Sequence, residues 1–180
     1  MKELIKNIEN WAEERNLIQG STPQKQFIKL MEEFGELCAG VSKNNIDMIK
    51  DSIGDCFIVL IIMNKQADNA LLQINIADAI EQDNLTNEEL FADVESKIKD
   101  KSKDGLVANL LIELTGSFGE LGFSVLSEDY EDFSLLLPYL CLLGAFYRLS
   151  IEECVRAAWD EIKDRKGRMI NGVFVKEADL

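Results

Sequence analysis

The chain is predicted to be all-α. Its apolar residues recur at helical spacing almost throughout, it holds only 2 prolines in 180 residues, and neither alternating strands nor Asn-Gly hairpins separate its apolar runs. A first helix covers residues 2 to 17 and ends in the loop 19-QGSTP-23, where Ser21 or Thr22 can cap and Pro23 opens the next helix. On that second helix Phe27, Leu30, Met31, Phe34, Leu37, Cys38 and Val41 have the spacing of a core face. The loop 42-SKNN-45 leads into a third helix whose apolar face is Ile46, Ile49, Ile53, Cys56, Phe57 and Leu60, with Asp47, Asp51 and Asp55 recurring every four residues beside it. So short a loop makes the second and third helices antiparallel neighbours. A fourth helix is expected over 67 to 82. A fifth opens at the capping box Thr86-x-x-Glu89 and dissolves in the charged loop 99-KDKSKDG-105. Helices follow near 106 to 126, 130 to 148 and 151 to 167, the last opened by Ser150 with Glu153 as a second capping box.

The length suits a single helical domain, 1–180. Acidic residues outnumber basic ones by 33 to 19, a formal charge of -14 that disfavours duplex nucleic acid and anionic membranes and favours a metal ion or a metal-chelated anion. There is no histidine, so His triads, His metal sites and His bases are excluded, and any catalysis rests on carboxylates, amines or a metal. Cys38, Cys56, Cys141 and Cys154 form no C-x-x-C pair and read as buried reduced thiols, which points to a cytoplasmic setting. The N-terminus is charged, and the apolar run 56-CFIVLIIM-63 is too short to span a bilayer.

An offset of 84 residues places Ile28, Leu30, Phe34, Gly35, Glu36, Leu37 and Val41 on Ile112, Leu114, Phe118, Gly119, Glu120, Leu121 and Val125. Two pseudo-repeats, 1–84 and 85–180, compete with a chance match of two core helices of similar composition. At this offset Glu32, Glu33, Asp51 and Asp55 meet Gly116, Ser117, Leu135 and Tyr139, whereas Lys163, Arg165, Lys166 and Arg168 have no basic counterpart. Acids gather in one half and bases in the other.

Glu33 and Glu36 on one helix, and Asp51 and Asp55 on its antiparallel neighbour, aim four carboxylates at one groove. Crowded carboxylates repel and shift upward in pKa unless a cation neutralises them, and Mg²⁺ or Mn²⁺ is the economical occupant. Glu32 and Asp47 stand further from the apolar arc and read as solvated. Gly35 and Gly54, each just before an acid, are expected to let the two backbones approach. Lys163, Arg165, Lys166 and Arg168 fall within six residues and suit phosphate, although bases in a last helical turn also answer the helix dipole. Lys163 and Lys166 share a face of the predicted helix. Gln26 has an amide able to reach a base edge, Trp11 and Trp159 have rings able to stack or simply to pack, and Asn171-Gly172 reads as a turn with Asn171 near phosphate or sugar.

The runs 24-QKQFIKLMEEFGEL-37 and 51-DSIGDCFIVL-60 resemble the E-E-x-x-E and E-x-x-D helices of the MazG-like all-α nucleoside triphosphate pyrophosphohydrolases, phage-type members above all. The segments 11-WAEERNLIQGSTPQ-24 and 158-AWDEIKDRKGRMINGVFVKE-177 resemble the entry and C-terminal parts of those proteins, while 64 to 148 resembles them poorly. The resemblance implies a helical bundle holding Mg²⁺ against a triphosphate, hydrolysis between the α and β phosphates, and Glu33, Glu36 and Asp55 as metal ligands. The family's first acid of the second motif is replaced by Ser52. Asp51, Asp47, or a hydroxyl or water at Ser52 stand as its alternatives, Mg²⁺ tolerating water ligands readily. Glu36 or Asp51 is then the group that orients or deprotonates the attacking water. The competing expectation is a non-catalytic helical protein that keeps the fold and binds a nucleotide or a protein. Duplication suits a monomer with pseudo-twofold halves, and apolar runs such as 135-LLLPYLCLLGAF-146 suit a homodimer.

Overall fold

The computed structural model describes residues 1–68, 92, 96, 102–129 and 136–177. The expected fourth and fifth helices fall almost wholly outside these, as does the start of the helix expected at 130. The described elements are α1 (Lys2–Glu14), α2 (Leu17–Gly20), α3 (Pro23–Lys43), α4 (Ile46–Gln66), α5 (Lys103–Ser127), α6 (Leu136–Phe146), α7 (Ile151–Ile162), β1 (Gly167–Ile170) and β2 (Val173–Lys176). The described residues are all-α apart from one small hairpin.

α1 buries Leu4, Ile5, Ile8, Trp11 and Ala12, a stripe at helical spacing, and stops before Asn16, whose left-handed backbone (φ 57°) breaks the single helix expected to residue 17. Thr22 caps α3 by accepting a bond from the Lys25 amide at 3.3 Å, with Pro23 at the first helical position, as the sequence predicts. Asn44 ends α3 in the left-handed region and Asn45 caps α4 through the Met48 amide at 3.2 Å, so two asparagines turn the chain back on itself.

α4 is the central element, packed by α1, α2, α3, α6 and α7. From Ile53 to Met63 nearly every residue is buried, which explains why its apolar residues surround the helix instead of forming a stripe. Gly54 does permit a close approach, although its partner is α7 and not α3: a Cβ there would stand 2.8 Å from that of Ala158. Gly35 has open space around it, and the tight α3–α4 contact is at Gly40, where a Cβ would stand 3.1 Å from Ile49. Of the two expected close approaches, Gly54 therefore makes one with a different helix and Gly35 makes none.

Of the described helices, α5 alone is long and apolar enough in composition to cross a bilayer. Its Val107, Leu114, Phe118, Leu121 and Val125 join the common core against α3 and α6, while Ile112, Phe123 and Leu126 are exposed. α7 opens at the predicted Ser150–Glu153 capping box and ends at Ile162, short of residue 167. The chain then turns into the β1–β2 hairpin, in which Arg168 pairs with Val175 and Met169 with Phe174. Asn171 (φ 52°) and Gly172 (φ 77°) form its two-residue turn with both residues left-handed, the conformation that Asn-Gly adopts most readily. This is the hairpin the apolar pattern missed: each strand is only 4 residues and half exposed.

Candidate functional site

A cleft of about 450 Å³ opens between α3 and α4 and is closed at one end by α1 and the hairpin. Glu33 and Glu36 line it from α3, and Asp51 and Asp55 from α4, so the structure brings together all four predicted carboxylates. Glu32, expected to face water, is exposed and still reaches the rim. Glu161 adds a further acid from the end of α7. Asp47 does not line the cleft.

Burial and mutual repulsion shape the ionisation of these acids. Glu33 is only 5% exposed, and burial raises its pKa against the pull of the Lys29 ammonium, which lies 2.5 Å from its Oε1 and 3.1 Å from Glu32. Asp55 is pushed up to about 7, first by burial and then by the charges of Glu33, Asp51 and Glu161. Asp51 is raised by burial and by Glu161 and Glu36, with Arg165 opposing. Burial works against the charge of Lys29, yet the bonds and charges of Glu33 and Glu32 overcome it and its pKa rises.

The donors are all carboxylates, the chemistry of a hard oxygen-seeking cation, and the crowding that drives Asp55 toward neutrality is what such a cation relieves. In charge and donor type the residues fit Mg²⁺ or Mn²⁺. Among the described residues no three of them converge tightly enough to clasp an ion as they stand, and Lys29 supplies the positive charge at Glu33. Ser52, where the resembling family has a glutamate, is 1% exposed, does not line the cleft, and its hydroxyl has no hydrogen-bond partner among the described residues. Asp51, one position earlier, is the residue that faces the cleft.

The predicted cations need correction. Lys163, Lys166 and Arg168 are exposed and do not line the cleft, because α7 ends at Ile162 and the helical face that would have aligned Lys163 with Lys166 is never built. Lys163 pairs instead with Asp160 at 2.6 Å. Arg165, from the same cluster, does line the cleft, joined by Lys25, Lys29 and Lys176, which charge counting had not singled out. Their signal was spacing: Lys25 and Lys29 sit two turns and one turn before Glu33 on one helix face. Gln26 is buried in the cleft wall and its Nε2 donates to Ser21 Oγ at 3.1 Å. The Asn171 side chain is not part of the lining; its carbonyl accepts a bond from Lys25 Nζ. Of the two tryptophans, Trp11 lines the cleft and Trp159 does not.

α1 and the segment after α7 are tied together beside the cleft. Trp11 Nε1 donates to the Ile162 carbonyl at 3.1 Å. The Arg15 guanidinium lies 4.8 Å over the Trp11 ring and donates to the carbonyls of Lys163 at 3.2 Å and Arg165 at 3.1 Å. These bonds satisfy the carbonyls left open where α7 ends.

Comparison with known proteins matches residues 21–104 to the MazG nucleotide pyrophosphohydrolase domain. The chain is also 73% identical over 66 residues to an uncharacterized 18.2 kDa protein from the rep-hol intergenic region of Haemophilus phage HP1, a match spanning 37% of this chain and 40% of that protein. No solved structure matches significantly. The tail 158–177 that resembles the family lies outside the matched segment, which holds α3, α4 and all four cleft carboxylates expected from the sequence. The likeness to the MazG nucleotide pyrophosphohydrolase domain thus rests on residues 21–104, a little under half of the chain.

Proposed function

We propose that the chain is a Mg²⁺-dependent nucleoside triphosphate pyrophosphohydrolase, converting an NTP or dNTP to the monophosphate and pyrophosphate. The observation that carries this reading is the convergence of Glu33, Glu36, Asp51 and Asp55 on one cleft within the family-matched segment. Those four acids would hold the divalent cation, which when bound neutralises charge and polarises phosphoryl oxygens. Glu36, exposed at the cleft, or Asp51 orients the attacking water and takes its proton as the oxygen closes on the α-phosphorus. Arg165, Lys25 and Lys176 supply positive charge for the departing pyrophosphate, in the role first assigned to Lys163, Lys166 and Arg168. Lys29 holds the Glu33 carboxylate in place, an ion pair that a divalent cation bound by Glu33 would have to replace.

The proposed setting is the cytoplasm. The second half, with Arg165, Lys176 and Glu161, then completes a site whose four proposed metal-holding acids come from the first. In support, Phe34 and Phe118, equivalent at the 84-residue offset, meet edge to face with ring centroids 4.8 Å apart, as equivalent residues do beside a twofold axis. This favours the monomer with pseudo-twofold halves over the homodimer.

A second reading, a nucleotide-binding protein without turnover, is favoured by Ser52 and by the Lys29 ammonium on Glu33. Pyrophosphate release from a panel of NTPs and dNTPs with Mg²⁺ or Mn²⁺ separates the two. Turnover that vanishes in Glu36→Ala supports the enzyme. Silence in wild type with turnover in Ser52→Glu supports the binding protein.

A further inference from the structure

The cleft changes character along α4. Asp51 and Asp55 line its acidic end, whereas Ile58 and Ile62, one and two turns further on, line the other. At 1.5 Å per residue, Asp55 and Ile62 are about 10 Å apart along the axis, room for a sugar between a phosphate group and a ring. The apolar end is completed by parts of the chain outside the family-matched segment: Trp11 and Leu17 from α1 and α2, and Phe174 from β2. The Trp11 and Phe174 rings are tilted at 56° with centroids 6.1 Å apart. Because the indole nitrogen is bonded to Ile162 and Arg15 lies over the ring, Trp11 offers the cleft apolar surface only. Phe174 is half-buried, leaving part of its ring free toward the cleft.

An apolar end beside carboxylates would be a poor place for phosphate and a good one for a heteroaromatic ring. Among the polar groups of the cleft wall is the Gln26 amide, whose Nε2 donates to Ser21 Oγ at 3.1 Å, which leaves its other hydrogen and its oxygen for a ligand. The hairpin is fixed in place by Lys25 on the Asn171 carbonyl and by Arg15 on the carbonyls of Lys163 and Arg165, so the apolar end is preformed.

We infer that α1 and the C-terminal hairpin form the nucleobase subsite: the base lodges between Phe174 and the Leu17–Ile58–Ile62 wall, and Gln26 reads its edge. The inference rests on the pyrophosphohydrolase reading and divides the subsite between residues of the family segment, Gln26, Ile58 and Ile62, and residues outside it, Trp11, Leu17 and Phe174. A Trp159→Phe background leaves Trp11 as the reporting indole, since the chain has 2 tryptophans. In it, nucleoside mono- and triphosphates should quench Trp11 saturably while inorganic tripolyphosphate should not. Phe174→Leu should weaken nucleotide binding by about tenfold, the scale of one lost stacking contact, and leave tripolyphosphate binding, read by calorimetry, unchanged. Phe174→Ala should do the same or more, with circular dichroism melting to verify the fold. Gln26→Glu should reorder the affinities of the four common nucleotides. Equal weakening of nucleotide and tripolyphosphate, or nucleotide binding by calorimetry that neither moves Trp11 nor depends on Phe174, overturns the subsite. If pyrophosphate is nonetheless released, the enzyme reading survives and only the subsite falls. If no nucleotide binds and none is hydrolysed, both fall.

Discussion

α3 and α5 carry the same run, Phe-Gly-Glu-Leu, and treat its apolar members alike. Phe34 and Leu37 on one, Phe118 and Leu121 on the other, are all buried, while Glu36 and Glu120 are both exposed. Ile28 and Ile112, one further equivalent pair, are 68% and 70% exposed. The helices differ one turn earlier, where α3 has Glu32 and Glu33 and α5 has Gly116 and Ser117. They differ as well in what faces them: α4 sets Asp51 and Asp55 opposite α3, whereas no cleft acid comes from α5. An apolar frame thus fixes how a helix packs and says little about its chemistry. A glutamate becomes a site residue when a second element brings acids to it.

The largest effect expected from this contrast is on turnover. Glu36→Ala should lower the rate of pyrophosphate release by roughly 10²–10⁴, the loss of a group acting on the attacking water, and Glu120→Ala on α5 should leave it unchanged. Equal losses in the two variants would remove the distinction between the helices.

Asp55 gives the next largest effect. Its folded pKa of about 7 lies above the usual carboxylate value, so folding takes up a proton between about pH 4 and 7. The metal-free protein is therefore most stable, as far as this group is concerned, below that window and loses stability as pH rises through 7. The rise from the ordinary 3.8 to about 7 sets a ceiling of ~4 kcal/mol. Thermal melts at pH 5 and pH 8 should show Tm falling in wild type and a flatter profile in Asp55→Asn, with added Mg²⁺ recovering part of the loss in wild type alone.

Glycines sharpen the comparison from the packing side. Gly35 and Gly119 are equivalent and both stand in open space, so alanine at either should stabilise its helix by about 0.5–1 kcal/mol. Gly54→Ala should instead cost about 1–3 kcal/mol, because the new methyl overlaps the Ala158 side chain and the backbone of Cys154 on α7. Chemical denaturation reads all three. A destabilising Gly119→Ala would mean that α5 is covered on that face.

What could be read from the chain follows the same division. Caps and apolar periodicity gave α3 and the start of α7, and periodicity alone gave α4, because those signals are local: Thr22 and Ser150 each bond within their own first turn. The four acids were legible because two adjacent helices carry them. Lys163 to Arg168 was read as a continuing helix, whereas only Arg165 of that cluster lines the cleft, and the carbonyls of Ile162, where the helix ends, and of Lys163 and Arg165 bond Trp11 and Arg15 about 150 residues away. The hairpin escaped notice because its strands are short and half exposed, and the closure of the cleft by Phe174 is a tertiary contact that no local pattern encodes.

The smallest effect compares two buried serines. Ser124, in α5, donates its hydroxyl to the Asp129 carbonyl at 2.7 Å, whereas the Ser52 hydroxyl, in α4, is enclosed with no partner among the described residues. A buried hydroxyl that makes its bond contributes about 1 kcal/mol, and one that does not costs a similar amount. The same substitution should therefore act in opposite directions: Ser124→Ala lowers stability by about 1 kcal/mol, and Ser52→Ala raises it by up to that amount, helped by the better helix propensity of alanine. Denaturant midpoints of the two variants are the direct measurement. If Ser52→Ala proves destabilising, the hydroxyl is held by an enclosed water or reaches the cleft acids in solution. Position 52 would then rejoin the site from which its burial now separates it.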